Sequence, residues 1–554
     1  MSMKEMPEMT ALADGLMWSH TFEKFKAAVY VPKNDLMDDV LNYGFIAPYL
    51  LVFSPEDFTA NYDGAVDFAR KNNFEQIAKK YGTSVVFIYP TSANGWKDAA
   101  PDLFSEIISN SKIHEYYENG VVKAYNRFTK KLEAYFIRGA IFRTNLYGFG
   151  ESADYIAQNC INHFEGDGLW GRADCAPVAC ILTGLSVLPK IDAADIPVVS
   201  YGNSVEVNEL FKTNCKYFLE KQIPDIYADF DGFVKQFRRM LGELEVDPDL
   251  EKDGMQIDPA VVSLKTSPDN MGDDKGTVSH NVGYFAFYNK GIFDKGPVPL
   301  LLAFHGGGDS SFYISYISDW AGIAHRHDFL LVAVENHLNS TASEMVELVE
   351  QLKKVYKIDS TRIYASGFSM GGIKTWDIIQ EYPDLIAAAA PMDATVDIGE
   401  NVYFGKINKP VNTTVSVPIF YAAGEQTPLA ELPYQEQKCI NRMAYALKLN
   451  GAASADKYTV KLEEKDSWEN KFWGINGDKT KMLVDPKRKG KLTLQLFGRE
   501  DGKCYNVFAS IDNQGHECRE HTCENAWLFM SCFSRDKDGK IFGGEMEQIE
   551  KVFQ

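Results

Sequence analysis

A serine in the second half of the chain has the neighbours that a nucleophile requires. The run Gly367-Phe-Ser369-Met-Gly371 follows the strand-like residues 362–366 and precedes a helix-like segment. A tight strand-to-helix turn projects the serine hydroxyl at the helix N-terminus, where free N–H groups favour developing negative charge. Small flanking residues permit so tight a turn. The pattern predicts Ser369 as a nucleophile, and the alternative is an ordinary turn.

A glycine-rich turn, His305-Gly-Gly-Gly308, lies 64 residues upstream of Ser369, directly after the strand-like residues 300–304. Glycines let backbone N–H groups approach a substrate oxyanion, and the N–H of Met370 supplies a second donor. The alternative is a phosphate-binding loop, but neither Gly-Lys-Ser/Thr nor Gly-x-Gly-x-x-Gly spacing follows. We therefore predict no cofactor. His305 is expected to be structural and stays a secondary candidate for substrate contact.

A serine nucleophile needs a general base, and with this kind of turn the base follows the last strand. Two histidines follow Ser369 in the chain, His516 and His521. Residue 516 comes directly after the strand-like residues 504–511 and precedes a helix-like segment, at the edge of the sheet where a serine turn would also lie. His516 is the predicted base, with His521 as the alternative.

The carboxylate that orients the base is less well defined by the sequence. Glu425 follows the strand-like residues 417–422 and is the first choice, because a triad acid usually stands after this strand. Asp393, after the preceding strand, and Glu431 are reserves. Each of the three is also compatible with an ordinary carboxylate at the end of a loop.

Together these segments resemble the α/β-hydrolase superfamily, in particular polyhydroxybutyrate-depolymerase-like or feruloyl-esterase-like esterases related to prolyl oligopeptidases. The resemblance covers residues 255–554 well and the first half only by pattern. It implies hydrolysis of carboxylic esters through an acyl-enzyme, with Gly306, Gly307 and Met370 forming the oxyanion hole. Such enzymes often carry Asp three residues after the glycine of the acid-bearing strand, where this chain has Thr427. A prolyl-oligopeptidase-like serine peptidase and a noncatalytic binding or scaffold protein remain alternatives.

The elements that must position these residues occur twice in the chain. Four landmarks recur in the same order: residues 48–54 with 299–305, 77–86 with 323–332, 148–150 with 367–369, and 196–199 with 417–420. Alternating strands and helices predict mostly parallel sheets flanked by helices. The sequence therefore predicts two tandem α/β-hydrolase-like domains, residues 1–245 and residues 246–554.

The first copy lacks the residue types of the second. Gly150 stands where Ser369 does, Ser54-Pro-Glu56 replaces the glycine turn, and no histidine occurs between His163 and His280. Ser152 is the remaining candidate nucleophile, and it has no late histidine to activate it. We predict a degenerate, catalytically silent first domain.

A long insertion at about residues 430–500 separates the acid candidates from His516. Its aromatic residues Trp468, Phe472 and Trp473 either roof the active site and contact the substrate or pack an inserted core. Cysteine and histidine also alternate over residues 516–523, but the Cys-x2-Cys pairing of structural zinc is absent. We predict no metal.

Composition restricts the partners. The 554 residues carry 57 basic and 77 acidic side chains, a net charge of −20, which disfavours nucleic acid and anionic membrane surfaces. The chain as given has no signal-peptide pattern, and nine cysteines fit reduced thiols. The expectation is a cytoplasmic enzyme that acts on a small-molecule or oligomeric ester.

Overall fold

The apolar runs of the sequence form the central strands of two separate sheets. In this computed structural model the residues described are 9–32, 48–81, 83–109, 111–112, 116–118, 121–126, 131–133, 137–138, 140–162, 177–191, 196–240, 243–265, 279–307, 310–335, 337, 340–401, 405–407 and 409–553. The chain divides into two units, Met1–Asp249 and Leu250–Gln554. The sequence had placed the division four residues earlier, at the end of a short hairpin that belongs to the first unit.

The strands and helices of unit 1 alternate along the chain. Its strands are β1 Met9–Leu12, β2 Gly15–Thr21, β3 Phe25–Pro32, β4 Pro48–Phe53, β5 Val85–Pro90, β6 Ser111–Lys112, β7 Tyr116–Glu118, β8 Val121–Asn126, β9 Lys131–Glu133, β10 Ile137–Arg138, β11 Ala140–Phe149, β12 Ala179–Thr183, β13 Val198–Tyr201, β14 Phe218–Lys221, β15 Phe237–Met240 and β16 Glu243–Val246. Its helices are α1 Tyr62–Lys71, α2 Phe74–Tyr81, α3 Leu103–Ser109, α4 Glu151–Asn159, α5 Val205–Asn214 and α6 Ile226–Gly232.

Unit 2 repeats this alternation with a longer second half. Its strands are β17 Met255–Lys265, β18 Ser279–Asn289, β19 Val298–Phe304, β20 Leu330–Val334, β21 Ile358–Phe368, β22 Ala388–Met392, β23 Glu400–Asn401, β24 Gly405–Lys406, β25 Ile419–Gly424, β26 Lys479–Val484, β27 Lys491–Gly498, β28 Cys504–Ile511, β29 Phe533–Arg535 and β30 Ile541–Gly543. Its helices are α7 Ser311–Ile317, α8 Trp320–His327, α9 Ala342–Val355, α10 Met370–Glu381, α11 Gln437–Leu449, α12 Glu520–Met530 and α13 Met546–Val552.

The two large sheets share one strand order. In unit 1 the order β3-β5-β4-β11-β12-β13-β14 matches β18-β20-β19-β21-β22-β25-β28 in unit 2. Within these seven matched strands, the first pair of each sheet, β3-β5 and β18-β20, is antiparallel. Every later pair of the seven is parallel. The predicted tandem α/β architecture is therefore confirmed, and all four sequence landmarks fall on matching elements.

The central strands of unit 2 are buried on both faces. Strands β20, β22, β25 and β28 contain only buried residues, as expected when helices cover both sides of a parallel sheet. Each fully buried Leu, Ile, Val or Phe contributes about 1.5–3 kcal/mol to folding. This burial holds the carboxyl ends of the strands in a fixed row, and the turns after β19, β21, β22, β25 and β28 all leave the sheet at that edge.

The insertion extends the sheet of unit 2. Helix α11 follows β25, and β26 and β27 then add to β28 in antiparallel pairing, so that residues 430–500 contain their own elements. Among the described residues, no helix has the length and apolar character needed to cross a bilayer.

The first unit retains the backbone of the serine turn without its serine. Gly150 has φ 59° and ψ −123°, and Ser369 has φ 54° and ψ −117°. A methyl group at Gly148 would lie 2.6 Å from the Cα of Ala153, so this glycine is required by close backbone approach.

We expect Gly148→Ala to destabilise the chain by more than about 2 kcal/mol, because the added carbon meets backbone that cannot move without disturbing the strand-to-helix turn. Gly150→Ala is the matched control. No atom lies within 4 Å of its added carbon, so only its left-handed backbone opposes the change, at about 1–2 kcal/mol. Calorimetric unfolding of the full chain measures both, and equal shifts would contradict the packing argument.

Candidate active site

The turn that carries Ser369 is held by glycines on both sides. A methyl group at Gly367 would lie 2.1 Å from the carbonyl oxygen of Gly371, and one at Gly371 would lie 2.1 Å from that of Phe304. Only glycine allows these approaches. Ser369 occupies the left-handed region at φ 54°, which few non-glycine residues adopt. Its N–H donates to the carbonyl of Met392 at 2.9 Å, which ties the turn to the neighbouring strand.

Ser369 stands where helix α10 begins. Its carbonyl accepts from the N–H of Ile373 at 3.0 Å, which is the first bond of the helix. The serine is partly exposed and does not lie beneath the core. The sequence prediction of an accessible hydroxyl at a helix N-terminus matches this placement.

The glycine turn after β19 packs against the serine turn. A methyl group at Gly306 would lie 3.4 Å from the Cβ of Ser369, and one at Gly307 would lie 2.1 Å from the Sδ of Met370. The backbone of Gly306 and Gly307 therefore lies directly beside the predicted nucleophile. Gly308 falls outside the described residues.

The His305 ring is buried against backbone carbonyl groups. This placement corrects its inclusion among the candidate substrate contacts. It is 1% exposed, and its ring nitrogens lie 2.7 Å from the carbonyl oxygen of Gly306 and 2.9 Å from that of Glu335. The ring thus connects the glycine turn to the end of β20. The structural role expected from the sequence agrees with these contacts.

His516 is brought to the serine turn by packing on the aromatic ring next to Ser369. The centroids of the Phe368 and His516 rings are 4.7 Å apart. The loop before His516 crosses the end of β25 so closely that a methyl group at Gly424 would lie 2.2 Å from the carbonyl oxygen of Gly515. His521, the alternative base, lies in helix α12, and its carbonyl accepts from Asn525.

The carboxylate beside His516 is that of Glu431. The Nδ1 atom of His516 lies 2.9 Å from Oε1 of Glu431, and both side chains are buried. The expectation that Glu425 meets the imidazole is not met, because Glu425 accepts from the hydroxyl of Ser510 at 3.1 Å. The chain turns back after β25, and this turn, rather than the strand end, brings a carboxylate to the ring.

Three contacts hold Glu431 in this position. Its backbone carbonyl accepts from the hydroxyl of Tyr421 at 2.7 Å, and its N–H donates to Oε1 of Gln435 at 2.9 Å. Its Oε2 accepts from the hydroxyl of Thr427 at 2.5 Å. Thr427, which occupies the position of an expected Asp, therefore orients a carboxylate four residues further along the chain.

Asp393 joins the same cluster from the end of β22. Its Oδ1 accepts from the N–H of Gly424 at 2.9 Å, and its carboxyl group lies within 4.8 Å of that of Glu431. Burial raises the pKa of Glu431, and the side chains of Thr427 and Asp393 oppose that rise, whereas burial followed by the charge of Glu431 raises the pKa of Asp393 well above its usual range. No sequence signal indicates that Asp393 and Glu431 lie together, because they are 38 positions apart in the chain.

Candidate ligand atoms of Asp393, Glu431 and His516 all lie within 4.8 Å of one another. Two carboxyl groups next to an imidazole can also serve acid–base chemistry without a metal. Nearby, Cys518 and Cys523 lie with their sulfurs 3.4 Å apart and pack on the Sδ of Met392. These thiols are occupied by packing against one another.

The aromatic residues of the insertion have different placements. Trp473 is 1% exposed and packs between Tyr421 and Phe508, with ring centroids 6.0 and 5.3 Å away, so it belongs to the core and its place among the substrate contacts is corrected. Trp468 and Phe472 are partly buried. Phe472 packs against Tyr434, whose hydroxyl donates to the carbonyl of Glu425 at 3.2 Å, so Phe472 lies near the carboxyl edge of the sheet.

The matching turn of unit 1 holds no such cluster among its described residues. Ser152 is fully buried, and its hydroxyl donates to the carbonyl of Phe53 at 2.5 Å and accepts from the N–H of Phe149 at 2.8 Å. Gly150 provides no side chain. The hydroxyl of Ser54 donates to the carbonyl of Glu56.

No family model matches the chain. A curated protein, the bifunctional acetylxylan esterase/xylanase XynS20E of Neocallimastix patriciarum, is 30% identical over 248 residues, which covers 43% of this chain and 31% of that protein. The chain thus matches about a third of the length of this relative. The similarity supports the predicted resemblance to α/β-hydrolase esterases.

Solved structures give weaker likenesses. The acetyl xylan esterase of Aspergillus awamori has 12% identity and a TM-score of 0.33, covering 49% of this chain and 99% of that one. S-formylglutathione hydrolase of Staphylococcus aureus has 14% identity and a TM-score of 0.26, covering 36% and 86%. The feruloyl esterase module of Clostridium thermocellum has 12% identity and a TM-score of 0.24, covering 36% and 75%. The α/β-hydrolase fold of unit 2 therefore rests on its own strand order and serine turn.

We expect Trp473→Ala to lower the free energy of unfolding by about 3–5 kcal/mol, because it empties a fully buried site in the core. Phe472→Ala, which truncates a partly exposed ring, is the matched control with a loss of about 1 kcal/mol. Denaturant unfolding of the full chain measures the difference. A stable Trp473→Ala variant with altered substrate affinity would indicate that Trp473 contacts the substrate and does not pack the core.

Proposed function

We propose that unit 2 is a serine hydrolase that cleaves carboxylic esters through an acyl-enzyme. The observation that carries the proposal is the arrangement of Ser369 at the strained turn that opens α10, with the His516 ring packed on the adjacent Phe368 and Oε1 of Glu431 at 2.9 Å from Nδ1 of that ring. Backbone strain at a partly exposed serine is typical of a functional site.

In this proposal His516 takes the proton of the Ser369 hydroxyl while Oγ attacks the ester carbonyl. The carbonyl oxygen becomes an oxyanion and accepts from the N–H groups of Gly306, Gly307 and Met370. The imidazolium then gives its proton to the departing alcohol, which leaves an acyl group on Ser369. Water then gives a proton to His516 and attacks the acyl carbonyl. The carboxylic acid departs, and the Ser369 hydroxyl regains its proton.

Glu431 has the role of the acid in this scheme. Its carboxylate faces Nδ1, so it holds the ring in one orientation and stabilises the imidazolium that forms when Oγ attacks. Removal of such a carboxylate leaves the ring present but poorly oriented, which costs far more in rate than in stability.

The proposed substrates are acetyl or aromatic acyl esters, on a small alcohol or an oligomer. This choice is supported by the named activity of the N. patriciarum relative, an acetylxylan esterase. Trp468 and Phe472, partly exposed, are proposed to contact the substrate. No cofactor or metal takes part in the proposed reaction.

Ester and peptide hydrolysis are separated by direct comparison of substrates. The full chain should hydrolyse p-nitrophenyl acetate, methyl ferulate or acetylated xylan more efficiently than a prolyl-peptide amide. Cleavage of the amide without ester turnover would favour the prolyl-oligopeptidase-like alternative.

Unit 1 is proposed to be catalytically silent. Its serine turn ends in Gly150, and the hydroxyl of Ser152 is occupied by backbone contacts. Of these turn serines in the described part of the chain, Ser369 is the proposed nucleophile.

Ser369→Ala should therefore abolish both ester turnover and labelling by a fluorophosphonate probe, because the attacking oxygen is gone. Ser152→Ala is the matched control, which should label at the wild-type rate. Gel fluorescence of the labelled full chain measures both. Loss of labelling in the Ser152 variant alone would indicate that the nucleophile lies in unit 1. A wild-type chain that is not labelled at either serine would favour a noncatalytic protein.

Glu431→Gln should lower kcat by about 10³–10⁴, since an amide cannot stabilise the imidazolium. His516→Ala should lower kcat by about 10³ or more with the fold intact. Glu425→Gln is the control of the same chemistry at a carboxylate that does not contact the ring, and it should change kcat less than about tenfold. Steady-state kinetics with p-nitrophenyl acetate measures all three. A larger loss in Glu425→Gln than in Glu431→Gln would restore Glu425 as the acid.

A further inference from the structure

Two carboxyl groups of unit 2 are buried against each other next to the imidazole. Asp393 is 2% exposed and Glu431 is 2% exposed, and oxygen atoms of their carboxyl groups lie within 4.8 Å of each other. Asp393 directly follows strand β22, whereas Glu431 belongs to the loop after β25. Neighbouring strands thus bring together two acids that are 38 positions apart in the chain.

Two buried carboxyl groups that lie this close can form a hydrogen bond only if one of them carries a proton. Two carboxylates at this distance repel each other, and the repulsion is strong where water is excluded. One acid of such a pair remains neutral over a wide pH range, as in the aspartic-protease dyad. The pair at this site therefore carries one negative charge and one proton.

The contacts of the two acids differ, and the difference assigns the proton. Glu431 is surrounded by groups that favour an anion, because one oxygen faces Nδ1 of His516 and the other accepts from Thr427. Asp393 accepts one backbone bond, from Gly424, and lies beside Glu431, and it also feels the charge of His516, whose ring nitrogen lies within 4.8 Å of its carboxyl group. A neutral acid uses one oxygen as an acceptor and the other as an O–H donor.

We propose that Asp393 is a neutral acid whose O–H donates to the carboxylate of Glu431, and that this bond positions Glu431 and keeps it ionised for His516. The proposal rests on the proposed serine hydrolase, and it makes Asp393 a positioning residue. The bond stabilises the charged form of Glu431 at a site where burial opposes that charge.

The surrounding ionisable groups agree with one net negative charge. Lys438, on α11, acts on Glu431 as a favourable positive charge, and burial followed by the negative charge of Glu431 raises the pKa of the Tyr421 phenol, on β25. The thiol of Cys439, also on α11, faces Glu431 as well. His516 supplies the positive charge only while the serine proton resides on it.

The direct test locates the proton by infrared spectroscopy of the full chain labelled with carbon-13 at aspartate side-chain carboxyls. We expect the carbonyl stretch of a neutral carboxylic acid at pH 7, and we expect it to disappear in Asp393→Asn. A carboxylate band for Asp393 at pH 7 would overturn the proposal. That outcome would also fit a cation bound by both carboxylates, which needs both acids ionised.

The kinetic test compares two variants at position 393 by the rate of fluorophosphonate labelling. An asparagine amide can donate to Glu431, and asparagine tolerates the φ of 44° that Asp393 adopts. We expect Asp393→Asn to label within about tenfold of wild type, and Asp393→Ala to label about 10–100-fold more slowly, the value of a hydrogen bond to a charged group. The proposal would be overturned if Asp393→Asn slowed labelling by about 10³ while Glu431→Gln labelled at a near-normal rate. That result would make Asp393 the ionised partner of His516.

The pH dependence separates positioning from a structural effect. The bond from Asp393 lowers the pKa of Glu431. Its loss in Asp393→Ala should therefore raise that pKa and move the acid limb of the labelling rate to higher pH, and Asp393→Asn should restore the limb. A reduction that is equal at every pH would overturn the positioning role. Absence of wild-type labelling would refute the hydrolase instead, and the infrared band would still decide where the proton lies.

Discussion

The left-handed backbone at Ser369 is the constraint on which the rest of the site depends. A serine at φ 54° is strained, and it persists because the glycines at 367 and 371 let two strands and a helix approach to distances that no side chain would permit. The turn projects the hydroxyl at the N-terminus of α10 and ties it to β22 through the N–H of Ser369. The glycine turn of β19 and the imidazole then pack against this fixed point.

Unit 1 has the same strand order and turn geometry as unit 2 but lacks the side chains of the candidate site among its described residues. Its turn at Gly150 has nearly the same backbone angles as that at Ser369, and its strands follow the same order. The constraint on the backbone is therefore a property of the parallel sheet and its helix. The proposed function depends on what unit 2 adds to this backbone, namely a hydroxyl, an imidazole and a carboxylate from turns far apart in sequence.

The sequence predicted the parts of this arrangement that depend on local pattern. Apolar runs identify strands that are covered on both faces, and the glycines around Ser369 identify its turn because the required close approach lies within a few residues. His516 was found by its position after the last parallel strand. The choice between Glu425 and Glu431 failed because it depends on how the loop after β25 folds back, which is fixed by Tyr421 and Gln435 through tertiary contacts. Trp473 was ambiguous for a similar reason, since burial against Tyr421 and Phe508 is decided by strands that are distant in the chain.

The central claim is that Ser369 carries the acyl group during turnover. The most direct measurement is to mix the full chain with p-nitrophenyl acetate, quench in acid within the first turnover and map the acetylated peptide by mass spectrometry. The account predicts one acetyl group on Ser369, and more of it in Glu431→Gln if that change slows deacylation more than acylation. An acetyl group on another residue, or ester turnover with no acetylated serine, would contradict it.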